Sequence, residues 1–249
     1  MSGNPPTVDL LGTSMSSLIL AITATRELTQ QDVTVIGGLA VVCRLSTAHR
    51  ATTDLDIVDR HGDTQQPQLE LLIAGTGRPS GPSGAVVSTA MGDIQVDVLE
   101  VADSDLARLP EDPTGRLYAL AHAWAADTAT PMIIRAEHLD EVHARVAEPG
   151  PLIAMKLQST IDRGAAKEGT DLLDIIRLAL DRHAGPIARS QLSQAGKQLR
   201  TAIRWHVDWC FQQHAERSLT RVRRIPAGAD TQIDDVTLVH ELLTHALAV

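Results

Sequence analysis

The chain has 249 residues, a formal net charge of −9 and an apolar fraction of 43%. This apolar fraction excludes wholesale disorder, and the length allows one large domain or two small ones. The acidic charge disfavours nucleic-acid binding through the whole surface and mildly favours a cationic partner. The N-terminal stretch MSGNPPTVDLLGTS has no basic residues, no apolar run reaches the roughly 18 residues of a membrane span, and two distant cysteines form no motif. We therefore expect a cytoplasmic protein with no membrane partner.

The first half of the chain alternates between helical and strand periodicity. This periodicity predicts helices over residues 18–28, 39–45 and 69–74, and strands over DVTVIGG, LDIVD and TPMIIRA. GAVVSTA and DIQVDVLE are predicted to form a hairpin through a turn at residues 91–93. STAHRATT and GTGRPSGPSG are typical of loops.

From Pro151 onward the pattern is helical only. The predicted helices are PLIAMKLQSTIDRG, TDLLDIIRLAL, RSQLSQAGKQLRTAIRWHVDWCFQQHAE and DDVTLVHELLTHALA. Strands with helices, followed by helices alone, predict an α+β domain followed by a helical region. We place the two domains at residues 1–148 and 149–249.

Two acidic residues flank a leucine in the predicted strand LDIVD. On a strand, Asp54 and Asp56 project from the same face roughly 7 Å apart, while Leu55 and Ile57 face the core. Two carboxylates this close repel each other unless a cation lies between them, and a hard divalent ion is the natural occupant. Asp97, in the strand IQVDVLE, adds a third carboxylate. Three carboxylates from two strands can hold two Mg²⁺ ions, one on the phosphates of a nucleotide and one on an attacking hydroxyl.

Gly37 and Gly38 end a predicted strand and open a helix. Because glycine has no β-carbon, backbone N–H groups and the helix N-terminus there can approach a triphosphate closely. An isolated D-x-D is usually a surface turn, and an isolated Gly-Gly says still less. The order strand, Gly-Gly, helix, D-x-D strand and third acidic strand is much more specific, and it favours an NTP site.

Charged residues further along the chain offer a second set of phosphate ligands. On one continuous helix they would share a face; if Gly164 or Gly169 breaks that helix, two helices must meet. This face either binds phosphate or is a solvated face with i,i+4 ion pairs. A basic segment, RSLTRVRRIP, is likewise either a local phosphate contact or a solvated loop. The helical set comprises Lys156, Arg163, Lys167, Asp171 and Asp174.

These motifs resemble the nucleotidyltransferase superfamily. The pattern GG…DLD…VDV matches its G-[GS]-x(n)-D-x-[DE] signature and third-strand carboxylate. VIGGLAV…HRATTDLDIV is similar to the R-x-T-x-D-[IL]-D form of AbiEii-like toxins, a group that includes the mycobacterial MenT toxins. LIAMKLQSTIDRGAAKEGTDLLDI resembles the downstream lysine, arginine and D-x-x-D region of that group. The resemblance covers residues 33–180.

The resemblance implies a nucleotidyltransferase-like mixed sheet and a role for each matching residue. It makes Asp54, Asp56 and Asp97 metal ligands, with Asp97 activating the acceptor hydroxyl. It implies that the helical domain completes the active-site cleft. Many members have Ser at the position of Gly38, so a hydroxyl contact to phosphate is lost here. The implied nucleotide-binding residues are Gly37, Gly38, Arg50, Thr52, Lys156 and Arg163, and the implied further active-site residues are Lys156, Asp171 and Asp174.

The implied reaction transfers NMP from an NTP to an acceptor hydroxyl and releases pyrophosphate. In the toxin group the acceptor is commonly a tRNA 3′ end, and a cognate antitoxin protein is a further expected partner. Two alternatives stay open. An enzyme of the same fold could modify a small cationic molecule such as an aminoglycoside, or the chain could be a non-catalytic module that binds a nucleotide or a partner.

Overall fold

The computed structural model describes residues 5–162 and 165–248. The chain groups into two compact units. Unit 1 takes in Met1–Cys43, Arg50–Ala107 and Ala125–Ala147, and unit 2 takes in Arg44–His49, Arg108–Trp124 and Glu148–Val249. The last change of unit follows Ala147, beside the predicted boundary after residue 148. The segments 44–49 and 108–124, which the sequence places in the first domain, group with unit 2.

The described residues of unit 1 form an eight-stranded mixed sheet. Its strands are β1 (Thr7–Leu10), β2 (Thr34–Val35), β3 (Leu55–His61), β4 (Pro79–Ser80), β5 (Gly84–Thr89), β6 (Gly92–Ala102), β7 (Thr130–Ala136) and β8 (Val142–Val146). Their order across the sheet is β1-β7-β8-β2-β3-β6-β5-β4. The pairs β1–β7, β2–β8 and β3–β6 are parallel, and the other neighbours are antiparallel.

The described residues of unit 1 also form helices. Those of unit 1 are α1 (Thr13–Thr29), α2 (Gly37–Arg44, its last residue grouped with unit 2), α3 (Gln68–Thr76) and α4 (Asp103–Ala107). Helices α1 and α3 contact each other, and both contact β5. Side chains alternate along a strand, so Leu55 and Ile57 of β3 share one face and are fully buried, as the sequence predicts.

Unit 2 is helical, and no strand occurs among its described residues. It contains α5 (Pro113–Thr128, its last turn grouped with unit 1), α6 (Pro149–Asp162), α7 (Ala165–Leu180), α8 (Ala184–Gln194), α9 (Lys197–Asp208), a π-helical segment (Trp209–Gln213), α10 (Ala215–Arg223), a 3-10 turn (Pro226–Gly228) and α11 (Ile233–Leu247). The single helix predicted over RSQLSQ…QQHAE is wrong. Ala195 and Gly196 have extended backbones there, with ψ of 149° and 151°, and they separate α8 from α9.

The predicted fold class is confirmed: an α+β arrangement with a mixed sheet is followed by a helical C-terminal region. The helices and strands predicted for the first half are present. The hairpin of β5 and β6 is present too, but its turn is at residues 90–91 and not at residues 91–93. Strands β1, β4 and β8 were not predicted, and β4 lies inside the segment expected to be a loop. Across the part of the chain that the structure describes, no helix is both long and apolar enough to cross a membrane.

Candidate active site

The parallel pairing of β3 and β6 brings two of the three predicted metal ligands side by side. Asp56 of β3 lies opposite Asp97 of β6 in the register. Neighbouring strands are about 4.8 Å apart, so the two side chains leave the same face of the sheet as neighbours. Both residues are half-buried. The sheet therefore holds two carboxylates together at a place where water screens their repulsion only in part.

Asp54 lies immediately before β3, two residues from Asp56 and also half-buried. The hydroxyl of Thr53 donates a hydrogen bond to Asp54 Oδ1 at 2.6 Å. The amide of Gln95 donates from Nε2 to Asp97 Oδ1 at 2.8 Å. Each bond fixes one carboxylate oxygen.

Gly37 packs directly against the carboxylate of Asp56. The Ile36 N–H donates to the Asp56 carbonyl at 3.0 Å, which holds the strand-to-helix turn against β3. Gly37 has a φ of +62°, and a β-carbon added there would lie 2.0 Å from Asp56 Oδ2. Both the backbone conformation and the space require glycine at this position.

The second glycine faces the loop that leads into β3. A β-carbon on Gly38 would lie 2.8 Å from Thr52 Oγ1 and 3.0 Å from Arg50 Nη2. Thr52 is 7% exposed. The structure thus brings together the four residues of unit 1 that the sequence assigns to nucleotide binding: Gly37, Gly38, Arg50 and Thr52.

A third glycine, Gly84, packs against Asp97 on β6, and the sequence did not predict this role. A β-carbon on Gly84 would lie 2.6 Å from Asp97 Oδ1 and 2.7 Å from the Ser80 carbonyl. Gly84 lies opposite Asp97 in the β5–β6 hairpin. The turn predicted at residues 91–93 would have paired Gly84 with Glu100, so only the observed turn at residues 90–91 places Gly84 beside Asp97.

The donor set at this place fits Mg²⁺. The three carboxylates supply oxygen ligands, the type that a hard divalent ion prefers. The helix α2 begins at Gly37, so its first N–H groups lack intrahelical partners and carry the positive end of the helix dipole. Its first turn contains no acidic residue that would compete with an anion. Carboxylates for a cation and N–H groups for an anion therefore meet at one turn.

The predicted phosphate-binding residues of the helical region lie in unit 2. Lys156 is on α6, and its Nζ lies 2.6 Å from Asp171 Oδ1 and 3.0 Å from Asp174 Oδ2, both on α7. The Ser159 hydroxyl donates to Asp171 at 2.8 Å, and His49 Nε2 donates to Asp174 at 2.9 Å. Lys156, Asp171 and Asp174 are 7%, 2% and 0% exposed.

Two helices therefore meet at this cluster, and the solvated-face interpretation is wrong for its three members. Paired burial of opposite charges is what permits ionised groups inside a helical core. Lys167 is exposed. Arg163, the other predicted cation, lies outside the described residues. A phosphate-binding role for Lys156 stays a prediction.

The basic segment forms part of α10 and is not a loop. Arg217 and Arg221 pair with Glu168, which is 7% exposed, at 3.0 and 3.4 Å. Arg223 donates from Nε to the Thr231 carbonyl at 2.8 Å. These three guanidinium groups stabilise the packing of unit 2.

Comparison with solved structures finds chains that are similar to this one. The crystal structure of an antigenic nucleotidyltransferase-like protein from Paracoccidioides brasiliensis is similar to this chain, with 18% sequence identity and a TM-score of 0.40. The alignment covers 76% of this chain and 91% of that one. No protein-family model and no curated protein matches the sequence.

Proposed function

We propose that this chain is a metal-dependent nucleotidyltransferase that moves NMP from an NTP to an acceptor hydroxyl. The observation that carries the proposal is the pairing of Asp56 with Asp97 on parallel strands, directly beside the Gly37 turn that opens α2. Packing alone gives no reason to place two acids in register on a half-buried face, because like charges directly opposite each other destabilise a sheet. A bound cation supplies that reason.

In this proposal Asp54, Asp56 and Asp97 hold Mg²⁺, and the N–H groups at the start of α2 hold the triphosphate. The acceptor oxygen forms a bond to the α-phosphorus while the bond from that phosphorus to the β-bridging oxygen breaks, and pyrophosphate leaves. Bound Mg²⁺ supplies electrostatic stabilisation of the attacking and leaving oxygens. The acceptor proton passes to the Asp97 carboxylate, which the hydrogen bond from Gln95 to Oδ1 helps to orient.

Thr52 supplies a hydroxyl close to position 38, where this chain has glycine and many resembling sequences have serine. A side chain on Gly38 would collide with Thr52 Oγ1. The hydroxyl of Thr52 thus lies where a serine at position 38 would place its own side chain, next to the first turn of α2. We infer that Thr52 supplies the phosphate contact that serine makes in the resembling sequences, and that Arg50 adds a positive charge beside it.

The acceptor in this proposal is an RNA, and specifically a tRNA 3′ end, with the chain acting as the toxin of a toxin–antitoxin pair in the cytoplasm. This part rests on the resemblance of the HRATTDLDIV segment to AbiEii-like toxins. An antitoxin protein that binds the chain belongs to the same proposal.

The test incubates the protein with Mg²⁺, total tRNA and each α-labelled NTP in turn, beside the Asp56→Ala variant. We expect label on RNA with the wild-type protein only, since removing Asp56 takes away a metal ligand but relieves repulsion and preserves the fold. Equal labelling by both proteins would refute the metal site. Label on an aminoglycoside but not on RNA would keep the reaction and replace the acceptor. No transfer to either would favour the non-catalytic binding module.

A further inference from the structure

A second polar cluster lies on the other face of the same two strands. Asp59 and His61 of β3 and Glu100 of β6 each offer one ligand atom, and these atoms all lie within 4.8 Å of one another. Asp59 is in register with Glu100, three residues beyond the pair Asp56–Asp97. An odd step along a strand turns the side chain to the opposite face, and three residues advance it by about 10 Å. The cluster is therefore separate from the candidate active site.

Hydrogen bonds orient the Asp59 and His61 side chains of this cluster for binding a cation. Asp59 Oδ2 accepts a bond from the Gln68 N–H at 2.8 Å, which fixes the carboxylate against the start of α3. His61 Nδ1 lies 3.2 Å from the Gly62 carbonyl oxygen. A carbonyl only accepts, so Nδ1 is the donor of this bond, and Nε2 is the ring nitrogen left for a metal ion. Metal-binding histidines are oriented by a bond of this type.

Gln68 gives an independent indication that a ligand belongs here. It is 4% exposed, and its Nε2 donates to the Asp32 carbonyl at 3.0 Å. Its Oε1 is buried and has no hydrogen-bond donor within the described ranges. A buried acceptor without a donor is unfavourable, because it has lost its hydrogen bonds to water. Gln68 lines the same cavity of about 430 Å³ as Asp59 and His61, so a ligand in that cavity can reach all three.

We propose that Asp59, His61 and Glu100 bind a divalent transition-metal ion such as Mn²⁺, Co²⁺ or Zn²⁺, with Gln68 Oε1 accepting a hydrogen bond from water on that ion. One imidazole and two carboxylates form a mixed nitrogen–oxygen donor set, which such ions prefer and Mg²⁺ does not. The cavity provides the access route and the room for water. Its two arginines do not compete for the carboxylates, since Arg60 pairs with Asp103 and Asp127, and Arg145 donates to the carbonyls of Ala126 and Ala129.

The ion in this site ties β3 to β6 and, through Gln68, to the start of α3. It therefore stabilises unit 1 and takes no part in nucleotidyl transfer. The proposal is independent of the proposed function, because it concerns other side chains on another face of the sheet.

The test is pulsed electron paramagnetic resonance on bound Mn²⁺ in the Asp56→Ala background, without nucleotide. This background weakens the candidate active site, whose three acids offer no nitrogen ligand. We expect a ¹⁴N coupling from coordinated imidazole, and we expect Asp56→Ala/His61→Ala to lose it. The matched control is Asp56→Ala/His143→Ala, which removes an exposed histidine of the same unit and should keep the coupling.

A second measurement protects the test against misfolding. In the same Asp56→Ala background, the isosteric Glu100→Gln substitution should weaken Mn²⁺ binding at least tenfold in a titration and should remove the rise in melting temperature that Zn²⁺ gives the Asp56→Ala protein. The proposal is overturned if bound Mn²⁺ shows no nitrogen coupling, if the coupling survives His61→Ala, or if Asp56→Ala/Glu100→Gln binds Mn²⁺ as tightly as Asp56→Ala alone.

Discussion

Replacing Gly37 with alanine tests whether its close packing against Asp56 matters for catalysis. The new β-carbon would lie 2.0 Å from Asp56 Oδ2, 2.5 Å from Cγ and 2.6 Å from Cβ. A tolerable contact needs about 3 Å, so Oδ2 must retreat by roughly 1 Å. Rotation of the Asp56 side chain does not move the Asp56 Cβ, which lies 2.6 Å from the added β-carbon. Strand β3 or the turn must therefore move. A displacement of about 1 Å in an active site costs roughly 100-fold in rate, which is about 2.7 kcal/mol of transition-state stabilisation.

Gly77→Ala is the matched control for this substitution. Gly77 has a φ of +63°, close to the +62° of Gly37, and no atom lies within 4 Å of its added β-carbon. Each variant should lose about 1–2 kcal/mol of unfolding free energy from the left-handed backbone, measured by urea denaturation. Only Gly37→Ala should also lose roughly 100-fold in kcat/KM for Mg²⁺-dependent transfer from labelled NTP. If the two variants retain the same activity, the contact between Gly37 and Asp56 has no bearing on catalysis.

Three further predictions concern other buried groups. Gly84→Ala places a β-carbon 2.6 Å from Asp97 Oδ1 and should lower kcat/KM for transfer at least tenfold. Gly196→Ala, with open space around the added β-carbon, should leave kcat/KM unchanged. Equal kcat/KM values for the two variants would contradict the role of Gly84. Lys156→Met removes the partner of two buried acids and should lower the unfolding free energy by about 3–5 kcal/mol in urea denaturation. Lys197→Met, at an exposed lysine, should lower it by almost nothing. A loss below about 1 kcal/mol for Lys156→Met would show that Asp171 and Asp174 do not need the lysine. Burial raises the pKa of Cys210 from 9.0 to about 11, against the lowering effect of the Thr160 hydrogen bond. In a Cys43→Ser variant, Cys210 should therefore react with Ellman's reagent at pH 8 only after unfolding. As the pH rises, the Cys210 thiol ionises in the unfolded chain before it ionises in the folded protein. The contribution of this thiol to folding stability is therefore complete below pH 9 and is lost as the pH rises from 9 to 11.

The sequence predicts most strands of the sheet but misses β8, which lies inside it, and β1 and β4 at its two edges. Strands β3, β5, β6 and β7 have regular alternation or continuous apolar runs, and their burial follows that pattern. The strand β8, with the sequence VHARV, alternates apolar residues with His143 and Arg145, and its burial follows that alternation, so the signal was in the sequence and was missed. The strand β4 has only two residues and includes Pro79, which local propensity assigns to a loop. Only pairing with β5 makes it a strand, and that contact is nonlocal.

The same distinction between local pattern and register decides which candidate sites the sequence could predict. Asp54, Asp56 and the two glycines are recognisable because their spacing within one segment is itself the signal. Asp59, His61 and Glu100 were missed because their relation exists only once β3 and β6 are aligned. A shift by one residue between these strands would remove the pairing of Asp56 with Asp97 and, at the same time, the pairing of Asp59 with Glu100. Both candidate metal sites therefore depend on one register, which the apolar faces of Leu55, Ile57, Val96 and Val98 hold in place by burial.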